Sequence, residues 1–429
     1  MKKVIRNDNI ISKDHEVTYD QLNDFNNALV CTEDATKCFD VNTLDVNVYI
    51  LLFDLEKAKK EYREFSIGFD ANDNPFTNIK ENKDKIPCLK KVNASWVIDA
   101  IPVEKLGGSY DSIKKEFIEC SQIVFEYDDE FYLLSHKAYV TLFQRLNIDC
   151  GFFNKEPTLI RGEMISYMFR RKARVVKFIT REKNGTKVVF AVNSKNFAFT
   201  PQTQILNVAV DISSTMNRAE FLGGTINADY TTCYLQFPED APKIKEQYKK
   251  LPKEDEFVPG LMLQNSDCGR SSFVVSLTID IKRGGASHLI RYKNHTQKHN
   301  RIFDTKKIVS VSKKMVDNVN EFPKLMCKLL ELNIASADVE PLVKTIVEEI
   351  ELAKPKYMGK KIADEITDQI VVDLQLLPQL TMYDIVMAFI TAKEFTSFNN
   401  EKARQKFQEA MGNITKVDFE TITSKFITS

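Results

Sequence analysis

The chain has 429 residues, and its 60 Lys and Arg are balanced by 60 Asp and Glu, so the formal net charge is zero. A neutral chain has no overall field that draws it to nucleic acid or to a membrane surface, and any polyanion binding must therefore be local. With 43% hydrophobic residues, the composition excludes a disordered chain and predicts a globular protein. The sequence shows neither a long apolar run nor a start that resembles a signal peptide, and we expect a cytoplasmic protein without a membrane segment.

The N-terminal part is predicted to contain two regions. Residues 1–45 are polar and rich in Asn and Asp, which indicates a loosely attached lead-in. Residues 46–119 contain NVYILLFDL and ASWVIDAIPVEKLGG, which are typical of strands and predict a β-rich subdomain. The Gly107-Gly108 pair marks a boundary at the end of this region.

The middle part, residues 120–303, is predicted to be a mixed α/β core. SHKAYVTLFQRLNI has helical spacing with Ser135 as the N-cap, and EPTLIRGEMISYMFRRK predicts a second helix. Two β-rich runs follow, joined by Asn184-Gly185, which is the strongest hairpin signal in the chain. A further β-rich block covers about 203–292, so the core should contain antiparallel hairpins.

The C-terminal part, residues 304–429, has helical periodicity. Asp304 is a candidate N-cap, and Thr381 with Asp384 has capping-box spacing at the start of TMYDIVMAFITAKEF, whose apolar side predicts a helix packed on the core. The sequence therefore predicts an α+β fold with a β-rich N-terminal part, a mixed core and a helical C-terminal third.

The candidate metal sites each lack a required residue. His295 and His299 have the four-residue spacing of a zinc protease helix, but Thr296 stands where the general base must be. Residues 70–81 resemble a calcium loop, but Pro75 at the sixth position cannot make the required turn, so a polar hairpin is the better interpretation. The eight cysteines are scattered singly. We expect no metal and no cofactor.

Motifs of nucleotide and nucleophile chemistry are missing as well. The sequence has no phosphate-binding glycine pattern of the P-loop or dinucleotide type and no nucleophile elbow. The acidic run Asp128–Glu130 is interpreted as a solvated turn. An enzyme with a site assembled from Asp267, His288 and His295 stays open as a third alternative, although the sequence favours a protein without catalytic activity.

Cations are concentrated in two segments, which is what local phosphate binding requires. The first surrounds Asn184-Gly185 and includes Tyr167, Phe169, Arg161 and Arg181; the second runs from 282 to 301, and no acid follows Asp280 until Asp304. An interleaved aromatic side chain offers a nucleic-acid base a stacking surface. The alternative is that both segments are ordinary solvated faces. The predicted nucleic-acid-binding residues are Arg170, Arg171, Lys172, Arg174, Lys177, Lys282, Arg283, Arg291, Tyr292, Lys293, His295, Lys298, His299 and Arg301.

A longer run in the second half of the chain has a family resemblance. FVPGLMLQNSDCGRSSFVVSLTIDI, followed by YKNHTQKH, resembles a phage- and plasmid-borne family of unknown function that includes prophage proteins of the YafZ and YubP type. The family's strand turn is matched by Asn265, Ser266, Asp267 and Gly269, and its basic segment by His295. RGGAS stands where the family often has a Cys-x-Asn-Gly element. The resemblance covers about 120–412 and implies a mobile-element origin, in a phage, without implying an activity.

Together these patterns favour a phage-encoded nucleic-acid-binding protein in the cytoplasm of a bacterial host. Single-stranded DNA is the expected partner, in replication, recombination or strand annealing, because charge with aromatic stacking tolerates any sequence. A homo-oligomer is compatible with this function. The alternative is a host-takeover or anti-defence protein that acts by binding phage or host proteins.

Overall fold

The structure, a computed structural model, describes residues 4–51, 100–101, 103–107, 120–147, 158–216, 219–299, 303–375, 377, 379–392 and 401–427. Sheet I is a seven-stranded antiparallel sheet with strand order β1-β2-β10-β11-β12-β13-β14. Its strands are β1 (Val4–Asn7), β2 (Glu16–Tyr19), β10 (Glu220–Asn227), β11 (Thr231–Gln236), β12 (Glu256–Asn265), β13 (Phe273–Arg283) and β14 (Ala286–Gln297).

Sheet II also has seven strands, in the order β3-β8-β9-β7-β6-β4-β5, and β7–β9 and β4–β5 are its parallel pairs. Its strands are β3 (Thr36–Asn42), β4 (Asn47–Leu51), β5 (Ala100–Ile101), β6 (Cys120–Tyr127), β7 (Glu130–Ser135), β8 (Val175–Lys183) and β9 (Thr186–Ser194). A short third sheet pairs β15 (Asn333–Ile334) with β16 (Leu380–Thr381).

Helices cover the sheets and dominate the chain after residue 304, which confirms the predicted α+β class. The helices are α1 (Leu22–Asp34), α2 (His136–Leu146), α3 (Thr158–Arg171), α4 (Gln204–Thr215), α5 (Ala241–Gln247), α6 (Thr305–Asp317), α7 (Glu321–Leu329), α8 (Val339–Glu349), α9 (Lys360–Gln375), α10 (Met382–Thr391), α11 (Glu401–Gly412) and α12 (Phe419–Ile427).

Two N-caps, a capping box and a hairpin turn are confirmed, whereas the predicted β-rich block at about 203–292 also contains the helices α4 and α5. The Ser135 hydroxyl accepts a hydrogen bond from the Ala138 amide at 2.9 Å and caps α2, and Asp304 caps α6 in the same way. Thr381 and Asp384 form the capping box of α10. Asn184 and Gly185 both have positive φ, as a two-residue β-hairpin turn requires. These elements can be predicted because residues close in sequence satisfy the hydrogen-bonding groups of the local backbone.

The prediction of a loosely attached lead-in at residues 1–45 is wrong. β1 and β2 extend sheet I, β3 pairs with β8 along seven residues, and Phe25 and Leu29 on α1 are fully buried. Gly224 on β10 makes room for this helix, because a Cβ there would lie 2.6 Å from the Phe25 ring. Strand pairing and a few buried apolar side chains thus hold a largely polar segment against the rest of the fold. The domain boundaries at 46, 120 and 304 stay a prediction.

Each sheet packs on helices to form its own core. One face of sheet I packs with α4 and the C-terminal helices in the larger core, which includes Phe25, Leu277 and Phe389. Sheet II packs on α2 and α3 in a second core, which includes Phe125 and Phe143. Because the two cores are separate, the relative position of the two sheets depends on direct contacts between them.

A buried ion pair joins the two sheets. Arg181 on β8 of sheet II donates through Nη2 to both carboxylate oxygens of Asp267, at 3.2 and 3.1 Å, and Asp267 lies in the turn between β12 and β13 of sheet I. The two side chains are only 1% and 2% exposed. The guanidinium group also donates to the Ile10 carbonyl at 2.6 Å and lies 3.8 Å from the centre of the Phe190 ring. Three chain segments therefore meet at one cation. We call the packed region around Arg181 and Asp267 the junction.

We expect the junction ion pair to couple strongly in a double-mutant cycle measured by urea unfolding. Asp267→Leu or Arg181→Met alone should lower the free energy of unfolding by about 3 kcal/mol or more, because each leaves an uncompensated buried charge. The double variant should lose much less than the sum of the two. Lys177→Met, which removes the surface pair of Lys177 with Asp40 (3.1 Å), is the control and should cost under about 1 kcal/mol. Single losses no larger than the control would contradict the role of the pair.

Stability should also depend on the protonation of His15, which lies beside the junction. Burial, reinforced by the charge of Arg181, lowers the pKa of His15 from 6.5 to about 4. Between pH 6.5 and about pH 4, His15 is therefore protonated in the unfolded chain but neutral in the folded chain. The free energy of unfolding consequently falls as the pH falls through this range.

His15→Asn is the matched variant, because the Asn amide can replace the contact of Nδ1 with the Asn7 carbonyl (2.8 Å) but does not titrate. The difference in unfolding free energy between wild type and variant should shift by an amount of the order of 3 kcal/mol across this pH range. A constant difference, measured by urea unfolding at closely spaced pH values, would refute the assignment.

Candidate nucleic-acid interface

The first basic segment lies at the C-terminal end of α3. Arg170, Arg171 and Lys172 are consecutive and exposed there. Cations at this end of a helix face its unpaired carbonyl groups, which favour positive charge. The sequence thus concentrates three positive charges at a helix end without destabilising the helix.

Two neighbouring side chains fix the arrangement of this surface. The Arg171 guanidinium group donates to the hydroxyl of half-buried Tyr167, one helical turn earlier, and lies 5.5 Å from the centre of its ring. Arg174 is held by two hydrogen bonds: its amide donates to the Thr43 hydroxyl at 3.1 Å, and its guanidinium group donates to the Arg145 carbonyl. We call Arg170, Arg171, Lys172 and Tyr167 the α3 basic surface.

The charge of the first basic segment is only partly compensated. Lys177 of the same predicted segment pairs with Asp40 at 3.1 Å. In the residues that the structure describes, neither Arg171 nor Lys172 has a carboxylate within 4.0 Å. The charges of these two side chains are therefore available to an anionic ligand.

The second basic segment forms the β13–β14 hairpin, and the expectation that its charge is uncompensated is wrong. The turn is Gly284-Gly285, both with positive φ, so residues 291–297 lie in strand β14. Acids that are distant in sequence pair with its cations: Lys282 with Glu256 (3.5 Å), Arg283 with Asp255 (3.1 Å), Arg291 with Glu409 (3.2 Å) and Lys293 with Glu321 (2.5 Å). The gap in acids along the sequence does not persist in space.

Tyr292 does not offer the predicted stacking surface. Its side chain is 4% exposed and packs 6.1 Å from the Phe322 ring, and Arg291 is buried as well. A β-bulge explains this burial: Tyr292 pairs with Leu277 but Asn294 with Ser276, so Lys293 is the extra residue and has positive φ. Of this segment's predicted residues, Lys298 is exposed and His295 is half-buried, while Arg301 lies outside the described residues.

His299 belongs to the junction rather than to the basic surface. Its ring packs 5.3 Å from that of Phe197 and Nδ1 lies 3.2 Å from the Thr200 hydroxyl, while burial lowers the pKa of the imidazole. His295 and His299 therefore have different surroundings. In the part of the chain that the structure describes, no group of three or more His, Cys, Asp or Glu side chains is placed to hold a metal ion. The candidate calcium loop at 70–81 lies outside that part.

The three polar side chains of the motif turn are buried and bond to protein groups. Asn265 donates through Nδ2 to the carbonyl groups of Thr200 and Pro201, at 3.1 and 3.0 Å. Ser266 donates to the Asp229 carbonyl at 2.7 Å, and Asp267 also accepts from Gln202 at 3.1 Å. Gly269 has a φ of +73°, and a Cβ there would lie 2.8 Å from the Phe197 ring. This turn holds the sheets together and presents none of these three polar side chains to solvent.

The structure thus buries the polar side chains of the motif turn and leaves His299 half-buried. Asp128 and Asp129 are exposed with positive φ in the turn between β6 and β7, as expected for a solvated turn. The sequence analysis missed the pairing of Arg181 with Asp267. No sequence signal could reveal it, because the two residues are 86 positions apart.

Comparisons with known proteins add no relative, since no family model, curated protein or solved structure matches the chain. Among the described residues, no helix is both long and apolar enough to cross a membrane. Any function must therefore be argued from the surfaces described above.

Truncation of the buried Arg291 and of the exposed Lys298 should change the free energy of unfolding by different amounts. Arg291→Ala should lower the free energy of unfolding by about 2 kcal/mol, because it removes a buried guanidinium group and its packing while the half-exposed Glu409 recovers some solvation. Lys298→Ala, at an exposed residue directly after the end of β14, should stay within about 0.5 kcal/mol of wild type. Urea unfolding of both variants measures the contrast, and equal effects would show that Arg291 is not a structural cation.

Proposed function

We propose that this protein binds nucleic acid, with single-stranded DNA as the favoured ligand, through the α3 basic surface. The observation that carries the proposal is the position of Arg171 and Lys172, exposed and without a carboxylate partner in the described chain, beside Tyr167. Uncompensated cations supply sequence-independent affinity for phosphates, and an adjacent ring offers bases a stacking surface.

The biological setting is part of the same proposal. The resemblance of residues 120–412 to a phage- and plasmid-borne family supports a phage-encoded protein that works in the cytoplasm of a bacterial host. Binding without sequence preference suits replication, recombination or strand annealing. A homo-oligomer would place several α3 basic surfaces along one strand.

A second candidate function follows from apolar side chains beside the same surface. Leu44 is 54% exposed and Val175 is 36% exposed. They lie next to the basic residues, because the Thr43 amide donates to the Arg174 carbonyl at 3.0 Å and Val175 pairs with Asn42. A surface that is both apolar and basic suits an acidic protein partner, as a host-takeover or anti-defence protein would need.

Fluorescence anisotropy with labelled oligonucleotides tests the first candidate. The protein should bind single strands, and the affinity should fall steeply as salt rises because bound cations release counterions. Arg171→Ala/Lys172→Ala should weaken binding for all sequences alike and reduce the salt slope by about 0.7 for each lost contact.

The matched control is Lys250→Ala/Lys344→Ala, which removes the same charge from two exposed lysines that pair with Glu331 and Glu340. This control should bind like wild type. Absence of binding at low salt would exclude the DNA function, and an equal loss in both double variants would exclude the α3 basic surface. Leu44→Ser, with intact DNA binding but lost capture of an acidic protein, would favour the second candidate.

A further inference from the structure

Three cations from different parts of the chain surround one carboxylate next to the junction. Asp229 lies in the turn between β10 and β11, and its Oδ1 is 2.6 Å from Nζ of Lys137 and 4.0 Å from Nε of Arg270. Its Oδ2 lies 3.6 Å from Nζ of Lys402. Lys137 comes from α2, Arg270 from the β12–β13 turn and Lys402 from α11. The fold therefore assembles an excess of two positive charges at this point.

The neighbouring acids do not remove this excess. Glu401 pairs with Arg404 at 2.5 Å and accepts from the Tyr234 hydroxyl at 2.8 Å. Glu16 pairs with Arg6 at 3.3 Å and accepts from the amide of Glu401. Among the described residues, Asp229 is the only carboxylate within 4.0 Å of Lys137, Arg270 or Lys402.

The three cations differ in exposure in a way that suits a binding site. The Lys137 side chain is 9% exposed; it donates to the Ala228 carbonyl and lies 4.7 Å from the centre of the Phe190 ring, so it forms a fixed base. Arg270 and Lys402 are exposed beside it, and Lys402 reaches 60% exposure. Burial would raise the pKa of the Asp229 carboxyl, but the charges of Lys137, Lys402 and Arg270 lower it below its usual value. The three cations therefore stabilise the charged form of the Asp229 carboxyl more than burial destabilises it.

We propose that Lys137, Arg270 and Lys402 form a phosphate-binding site, in which the Asp229 carboxylate occupies the place of the anion and competes with it. The ligand is a phosphate group, either a phosphodiester of a single strand or free phosphate. As a contact for a DNA strand the site rests on the proposed function, and as a phosphate site it does not.

Asp229→Asn gives the sharpest test, because it should improve binding. The substitution removes the competing charge, while the Asp229 backbone keeps its hydrogen bonds with Asn227 and Ser266. Inorganic phosphate should bind this variant about tenfold more tightly than wild type, as expected for one unit charge at this distance in partly aqueous surroundings. Arg270→Ala/Lys402→Ala should lose the effect. Calorimetry and the phosphate-induced rise in Tm, against chloride at equal ionic strength, measure both, with Lys250→Ala/Lys344→Ala as the charge-matched control.

The same variants are then titrated with a labelled single strand to separate the two proposals. Tighter binding by Asp229→Asn and weaker binding by Arg270→Ala/Lys402→Ala support the site as a DNA contact. Phosphate binding that follows these variants without any DNA binding supports the site and overturns the proposed function. The inference is overturned if phosphate binds all variants alike. If phosphate binding follows the variants while DNA binding depends on Arg171 and Lys172 and is unchanged in both Asp229→Asn and Arg270→Ala/Lys402→Ala, the result supports a site for free phosphate and excludes it as a DNA contact. Since Arg270 and Lys402 are exposed, loss of folding does not confuse their result.

Discussion

The buried ion pair of Arg181 with Asp267 constrains the arrangement of the two sheets. Each sheet has a core of its own, and between them the ion pair lies beside a small apolar cluster that includes Ile179, Phe190 and Cys268. A buried charge is tolerated only when its partner is in place, so the pair favours one relative position of β8 and the β12–β13 turn over all others. Three amide side chains add hydrogen bonds around the pair: Gln202 donates to Asp267, Asn193 donates to the Cys268 carbonyl, and Asn265 donates to the Thr200 and Pro201 carbonyls.

The candidate surfaces depend on this docking to different degrees. The α3 basic surface belongs to sheet II and its core, so it needs only α3 and its neighbours. The cluster at Asp229 exists only when the sheets are docked, because Lys137 belongs to the sheet II side and Asp229 and Arg270 to sheet I. A variant that removes the ion pair of the junction should therefore disrupt the cluster at Asp229 before it affects the α3 basic surface.

Sequence patterns were sufficient where a few adjacent residues determine the structure. The Asn184-Gly185 hairpin, the caps at Ser135 and Thr381, and the buried helix α10 follow from local backbone and periodicity rules. Charge compensation does not follow from local rules, because Glu409 and Glu321 reach β14 from distant helices. The burial of Tyr292 depends on a bulge at Lys293, and no local signal marks it. Composition also concealed the packing of residues 4–45, which rests on strand pairing and on a few buried apolar side chains such as Phe25 and Leu29.

Arg171 and Lys172, which are exposed and have no carboxylate partner among the described residues, are the nucleic-acid contacts that we propose, in place of the more basic stretch of sequence at 282–298. Photo-crosslinking of a single strand that carries a photoreactive pyrimidine, followed by peptide mapping, tests this claim directly. The account predicts crosslinks in residues 158–174 that disappear in Arg171→Ala/Lys172→Ala. Crosslinks confined to the β13–β14 hairpin, or no crosslink at low salt, would contradict it.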